Sequence, residues 1–248
     1  MQVHIHLQSG INTPFIPYSL IQIPTRQLRV GNSAVLPQSA VRDLGVYIDT
    51  DVTMSAHVTA TIRACFAALR QIRSVRRSFM QDALLMLIRS FVITKLDFYC
   101  SVLAGVSGSL MQWLQSVLNA AARLVFSMRR SQHTTPLLHE LHWLKVPERI
   151  QYRLCVLAFW CLHGLAPSYL SETLHLYTEV DARRRLRSAS TSTLVVPSTR
   201  RSTLGDRAFP VAAAHAWNSL LPSFQSTSSL ASFYLHQKTR LFAASFPR

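Results

Sequence analysis

Apolar and polar residues follow no single period through residues 1–52 and then settle into a helical one. In "TMSAHVTATIRACFAALRQIRSV" (53–75), Val58, Ile62, Cys65, Phe66, Leu69 and Ile72 recur at i, i+3, i+4, i+7 spacing, while Thr59, Arg63, Arg70 and Arg73 take the other faces. A period of 3.6 gathers the apolar set on one side, which predicts an amphipathic helix with Ser55 as its cap. "SFMQDALLMLIRSFVITKL" follows, with Ser78 and Gln81 at capping-box spacing. It is nearly apolar all round, so a central position burying Leu84, Leu85, Ile88, Phe91 and Val92 is expected. Gly105 and Gly108 interrupt the run, and "SLMQWLQSVLNAAARLVF" resumes it with Leu110, Trp113, Leu114, Val117, Ala121, Leu124 and Val125.

Thr135 before Pro136 predicts another helix start, and Pro147 opens a helix that Gly164 closes at its C-terminal end. A short helix in "APSYLSETL" completes the series. Residues 178–205 are rich in Ser, Thr and Arg, with "TLVVP" their only strand-like run. A connection of that length in a compact domain is functional or mobile. Two last helices are expected at 209–221 and 228–245. Upstream, "QLRV", a Gly31-Asn32 turn, "SAVLP" and "VRDLGVYID" carry a hairpin signal, too small to be a sheet alone. The fold class is therefore mainly α: a short β-hairpin region, a helical bundle and a C-terminal helical extension. The boundaries read as a poorly ordered leader at 1–20, a β-rich stretch at 21–52, a helical domain at 53–176, a basic Ser/Thr-rich linker at 177–206 and terminal helices at 207–248.

Charge changes this picture. The chain has 26 basic residues against 11 acidic ones, a net charge of +15. Only Lys95, Lys145 and Lys238 are lysines, and arginine's planar fork suits phosphate oxygens. Such a field favours a polyanion, nucleic acid first. Three clusters stand out: Arg70, Arg73, Arg76 and Arg77 at the end of the first helix, Arg129 and Arg130 after the third, and Arg183, Arg184, Arg185 and Arg187 in the linker, continued by Arg200, Arg201 and Arg207. Cations at helix C-termini also answer the helix dipole, but three clusters exceed that need. No aromatic residue interleaves them, so backbone contact rather than base stacking is expected.

The remaining chemistry is thin. Asp49 and Asp51, at i and i+2, would share one face of a strand in the manner of paired metal ligands, but no third carboxylate joins them. They read instead as the end of a strand feeding the helix at Ser55. His133, His139, His142, Cys155, Cys161 and His163 lack the spacing of a compact zinc motif and read as packed side chains. No nucleophile elbow, P-loop or dinucleotide fingerprint occurs. No catalytic residue, metal site or cofactor is expected. The four cysteines have no regular spacing, and the longest apolar run, at 154–166, falls short of the roughly 18 residues of a membrane span. Both suit a reducing, intracellular location, cytoplasmic or nuclear, with no membrane partner.

The succession "SAVRDLGVYIDTDVTMSAHV", "LIRSFVITKLD", "LQSVLNAAARLVF", "TPLLHELHWLKVPERIQYRL", "HGLAPSYLSE", "LRSAS", "LVVPSTRRSTLGDRAFPVAAAHAWNSLL" and "SSLASFYLHQKTRLF" resembles the region downstream of the palm in LINE-type (non-LTR) retrotransposon polyproteins, of the jockey-like and chicken-repeat kind. The resemblance runs from about Gln22 to the C-terminus. It implies the thumb-like helical domain and C-terminal extension of a reverse transcriptase, with 21–52 a remnant of the palm edge. Its partner would be RNA or an RNA–DNA duplex, with a palm domain or another chain on an exposed apolar face. The family's catalytic aspartate box, an aromatic-Ala-Asp-Asp sequence upstream of the "LGV-x-ID" stretch, does not occur here. Asp49 matches a family aspartate that is not a metal ligand. The Mg²⁺ that the parent polymerase needs thus has no counterpart site in this chain, which is expected to lack polymerase catalysis by itself. Residues 1–20 and "KLDFYCSVLAG", where the family reads "LDYCNSLLAG", depart from the pattern and imply a truncated or decayed copy. The alternatives are a helical protein-interaction module and a non-functional transposon-derived product.

Overall fold

The computed structural model describes residues 26–179, 192–200 and 202–247, which fall into two compact units divided between Ser39 and Ala40. The leader at 1–20 and Arg183, Arg184, Arg185, Arg187 and Arg201 lie outside the described residues. In the first unit, β1 (Leu28–Val30) pairs antiparallel with β2 (Ser33–Val35), Leu28 opposite Val35. The turn is Gly31-Asn32, with Gly31 at φ +61°, where glycine costs least. All six strand residues are exposed.

The second unit opens with another hairpin, β3 (Ala40–Asp43) against β4 (Val46–Asp49), Ala40 opposite Asp49. "VRDLGVYID" folds back on itself at Leu44-Gly45, whose φ of +45° and +88° make the paired left-handed turn that matches strand twist. Helices follow: α1 (Ser55–Val75), α2 (Gln81–Ile88), a π-helical stretch at Arg89–Ile93 running into α3 (Thr94–Phe98), and α4 (Gly108–Val125). Then come α5 (Thr135–Glu140), α6 (Val146–Leu162), α7 (Ser168–Ser171), α8 (Ser202–Gly205), α9 (Phe209–Asn218), α10 (Pro222–Gln225) and α11 (Leu230–Ser245). The chain is mainly helical, with hairpins at its N-terminal side, as the sequence predicts.

One core joins the helices. α1 lies along α4, and α6 packs between α9 and α11. Val58 and Cys65 of α1 and Val117 and Leu118 of α4 are fully enclosed, as are Phe159, Trp217 and Phe233, whose rings stack in sequence at 4.6 and 5.8 Å. The predicted faces of α1 and α4 are buried except for Ile62 and Phe66, which are half-buried, and Trp113, which is exposed. The α2–α3 helix departs further. Leu84, Ile88 and Val92 are buried, but Phe91 is 51% exposed, and Met86 and Phe98 also face outward. It therefore flanks the core instead of sitting at its centre. The π turn adds a residue to the helical register and carries Phe91 away from the face that Ile88 and Val92 share.

Helix ends also differ from expectation. Met54, at φ +66°, holds the N-cap position of α1, and Ser55 is the first helical residue. The Asp49 carboxylate does the capping from β4: it accepts the Thr53 amide and hydroxyl, the Ser55 hydroxyl at 3.1 Å and the Ala56 amide at 3.5 Å. Ser78 sits in the turn before α2, whose N-cap, Met80, offers no side-chain bond, and Thr134 rather than Thr135 occupies the N-cap of α5. Gly164 does close α6 at φ +66°, with the Leu165 amide reaching the Trp160 carbonyl and the Gly164 amide the Cys161 carbonyl. That is the double bond of a Schellman ending.

"TLVVP" comes back against the helices as a single antiparallel bridge, Leu194 opposite Leu176. Asn218, at the end of α9, holds it from the other side. Its Oδ1 accepts the Leu194 amide at 2.9 Å and its Nδ2 donates to the Leu194 carbonyl at 2.8 Å. The Trp217 indole donates to the Ser192 carbonyl at 2.7 Å.

Candidate nucleic-acid interface

Side-by-side packing of α1 and α4 leaves a groove between their second halves. Its volume is about 540 Å³. Phe66, Leu69 and Leu124 line its apolar side; Arg70 and Arg73 from α1, Arg123 from α4 and Arg130 from the following turn bring four guanidinium groups to it. Arg70 and Arg73 share a flank because residues three apart on a helix are neighbours. Among the described residues no carboxylate lines the groove. Among the described residues the one ion pair is elsewhere, Arg149 to Asp97 at 2.6 Å. Four cations in one groove with no fixed counter-charge make a concentrated positive field, the electrostatic condition for holding phosphates.

The turn carrying Arg130 is built by Gln132. Its backbone carbonyl accepts Arg123 Nε at 3.3 Å and Nη2 at 3.0 Å, and its Oε1 accepts the Arg129 amide at 3.0 Å. Ser127 ends α4 in the left-handed region, φ +61°, with the Met128 amide bonded to the Arg123 carbonyl at 2.9 Å. Arg123 thus both lines the groove and anchors its rim.

Of the residues singled out from the sequence, Arg70, Arg73 and Arg130 meet in the groove, while Arg76, Arg77 and Arg129 do not line it. Arg76 and Arg77 stand in the turn after α1. Arg207, counted with the basic linker, is committed to structure: it donates through Nε to the Ala104 carbonyl at 3.2 Å and through Nη1 to the Val52 carbonyl. Gly105 leaves room for it, since a β-carbon there would lie 2.8 Å from Arg207 Cγ. Sequence reasoning missed Arg123, set within the apolar run "AAARLVF". The signal was present: Ser116, Asn119 and Arg123 form a polar stripe at i, i+3, i+7, and all three line the groove.

The other candidates do not gather into a site among the described residues, and His133, expected to be packed, is exposed. β4 ends at Asp49, and Asp51 lies in the exposed turn beyond it, so the two carboxylates do not share a strand face. Burial works to raise the Asp49 pKa, but the bonds from Thr53, Ala56 and Ser55 outweigh it and hold the carboxyl below its ordinary range. With its oxygens taken by these donors, Asp49 does not fit a polymerase's Mg²⁺ pair. His139 and His142 lie against Phe242 at 5.0 and 5.4 Å, and His163 stacks on Phe159 at 3.8 Å. Cys155 Sγ faces the Ala216 carbonyl. Among the described residues, no group of three or more His, Cys, Asp or Glu side chains could hold a metal ion. All four cysteines are free and buried; burial pushes Cys65 up to about 11 and Cys100 and Cys155 to about 12, the reverse of an activated thiol. No helix among the described residues is long and apolar enough to cross a membrane.

No protein-family model matches the chain, and neither does any curated protein or solved structure.

Proposed function

We propose that the chain binds template–primer nucleic acid, as a non-catalytic part of a retrotransposon RNA-directed DNA polymerase. One observation carries the reading: Arg70, Arg73, Arg123 and Arg130 line one groove that no carboxylate of the described residues lines. Such a groove meets a phosphate backbone through charge and bidentate donors, which predicts sequence-tolerant, salt-sensitive binding. The ordered motif resemblance supplies the polymerase context, and the duplex behind a palm's active site is the ligand it implies. The parent's Mg²⁺ chemistry belongs to a palm whose aspartate box this sequence lacks.

The test is binding of an RNA–DNA duplex at rising salt, with Arg70 and Arg73 changed to glutamate in one variant and Arg76 and Arg77 in another. The reading expects the first pair to lose more affinity than the second. Equal affinity in all three proteins, or affinity indifferent to salt, would sink it.

A second reading has its own observation. Phe79, Met80, Met86, Phe91, Phe98 and Trp113 are exposed, several on one helix, as in a module that docks another chain, a palm domain among the candidates. A defined oligomer or protein complex, together with no duplex binding, would favour it.

A further inference from the structure

A second cationic cleft lies elsewhere in the helical unit and shares no residue with the α1–α4 groove. It holds about 610 Å³, between the π-helical stretch and α3, the turn after α5, the first half of α6, and α11. Three of its side chains, Arg89, Arg153 and Lys238, are exposed and come from three separate elements. A fourth, Arg149, is only 11% exposed and already committed, Nη1 to Asp97 at 2.6 Å and Nε to the Leu144 carbonyl at 2.8 Å. That pair neutralises Asp97, the one acidic residue lining the cleft among the described residues. Arg89, Arg153 and Lys238 then face the space with no carboxylate partner among the described residues.

The wall between these cations has an apolar part, Ile93, Trp143 and Leu144, beside Thr94, His142 and Tyr152. Cations from three directions fit a tetrahedral phosphate, whose several oxygens each take a donor. The apolar part of the wall beside them fits a flat organic group, and the volume is that of a small-molecule site. We infer that this cleft binds a nucleoside phosphate, either a free mononucleotide or the phosphorylated end of a strand. Arg89, Arg153 and Lys238 hold the phosphate and the Trp143 side of the cleft takes the base. The inference uses none of the groove residues, so it stands or falls apart from the duplex-binding reading.

Calorimetric titration of the full chain with adenosine 5′-monophosphate and with inorganic phosphate tests it, alongside competition by a short oligonucleotide with or without a terminal phosphate. The mononucleotide should bind more tightly than inorganic phosphate. Arg153→Glu with Lys238→Glu should weaken it by roughly a hundredfold, about tenfold per cation. Arg153→Gln with Lys238→Gln should weaken it less, and Arg63→Glu, which alters net charge outside both clefts, should leave it unchanged. If the strand end is the ligand, the phosphorylated oligonucleotide competes and the unphosphorylated one does not; if the free nucleotide is, neither competes. Absence of nucleotide binding, binding undiminished in both double variants, or competition by the unphosphorylated oligonucleotide as strong as by the phosphorylated one would overturn the inference.

Discussion

Asn218→Ala separates the return strand from the helices without touching the apolar core. The Asn218 amide holds both the N–H and the C=O of Leu194, at 2.9 and 2.8 Å, and Leu194 is itself fully buried. Truncation leaves two backbone groups unpaired near the core, and each costs about 1–2 kcal/mol when nothing replaces the bond. The expected loss is therefore about 2–4 kcal/mol, a large part of a domain's stability. Asn218→Asp should cost at least as much, because it keeps an acceptor for the Leu194 amide but sets a carboxylate oxygen against the Leu194 carbonyl. Urea unfolding followed by circular dichroism measures both variants against the parent, and the midpoint should fall without a change of slope. Limited proteolysis should cut the Asn218→Ala protein near residues 192–196 before the helices. A loss below about 0.5 kcal/mol, or an Asp variant as stable as the parent, would refute the bidentate account.

Three further outcomes follow from local structure. Ser127→Gly should stabilise by about 0.5–1 kcal/mol in urea unfolding, since Ser127 ends α4 at φ +61°, a region glycine enters without steric cost. His57 is buried, and burial lowers its pKa below 6.5, so the unfolded chain takes up the proton first. The stability it contributes is present above pH 6.5 and falls as pH drops below that value; the parent's melting temperature should decline between pH 7.5 and 5.5 more than that of His57→Gln. Ellman's reagent at pH 8 should react slowly with the native protein and fully with the four thiols after denaturation, because burial raises Cys65 to about 11 and Cys100 and Cys155 to about 12.

The parts legible from sequence are those fixed by local periodicity. The α1 stripe was readable because Val58, Cys65, Leu69 and Ile72 repeat at the helical period and all are buried. Gly164 was readable because a left-handed helix ending favours glycine. Where a non-local partner decided the outcome, sequence reasoning failed. Ser55 had a capping residue's chemistry, but the Asp49 carboxylate arrives from the hairpin and leaves Met54 in the cap position. Phe91 matched an apolar period, yet the π turn at Arg89–Ile93 rotates it outward. The candidate groove was half visible. Arg70 and Arg73 announced themselves as a cluster, whereas Arg123 joins them only because α4 packs on α1, and Arg207 drops out because it bonds two carbonyls. Clustering along a chain finds charge density; which guanidiniums face one space depends on packing.

Whether the groove's arginines contact phosphates is read directly from the salt dependence of duplex affinity. Each phosphate contact contributes about 0.9 to the slope of log affinity against log salt. Arg70→Gln, Arg73→Gln and Arg130→Gln together should lower that slope by about three for an RNA–DNA duplex, while Arg76→Gln with Arg77→Gln should lower it by less than one. The same slope in the parent and the triple variant would contradict phosphate contact by these arginines.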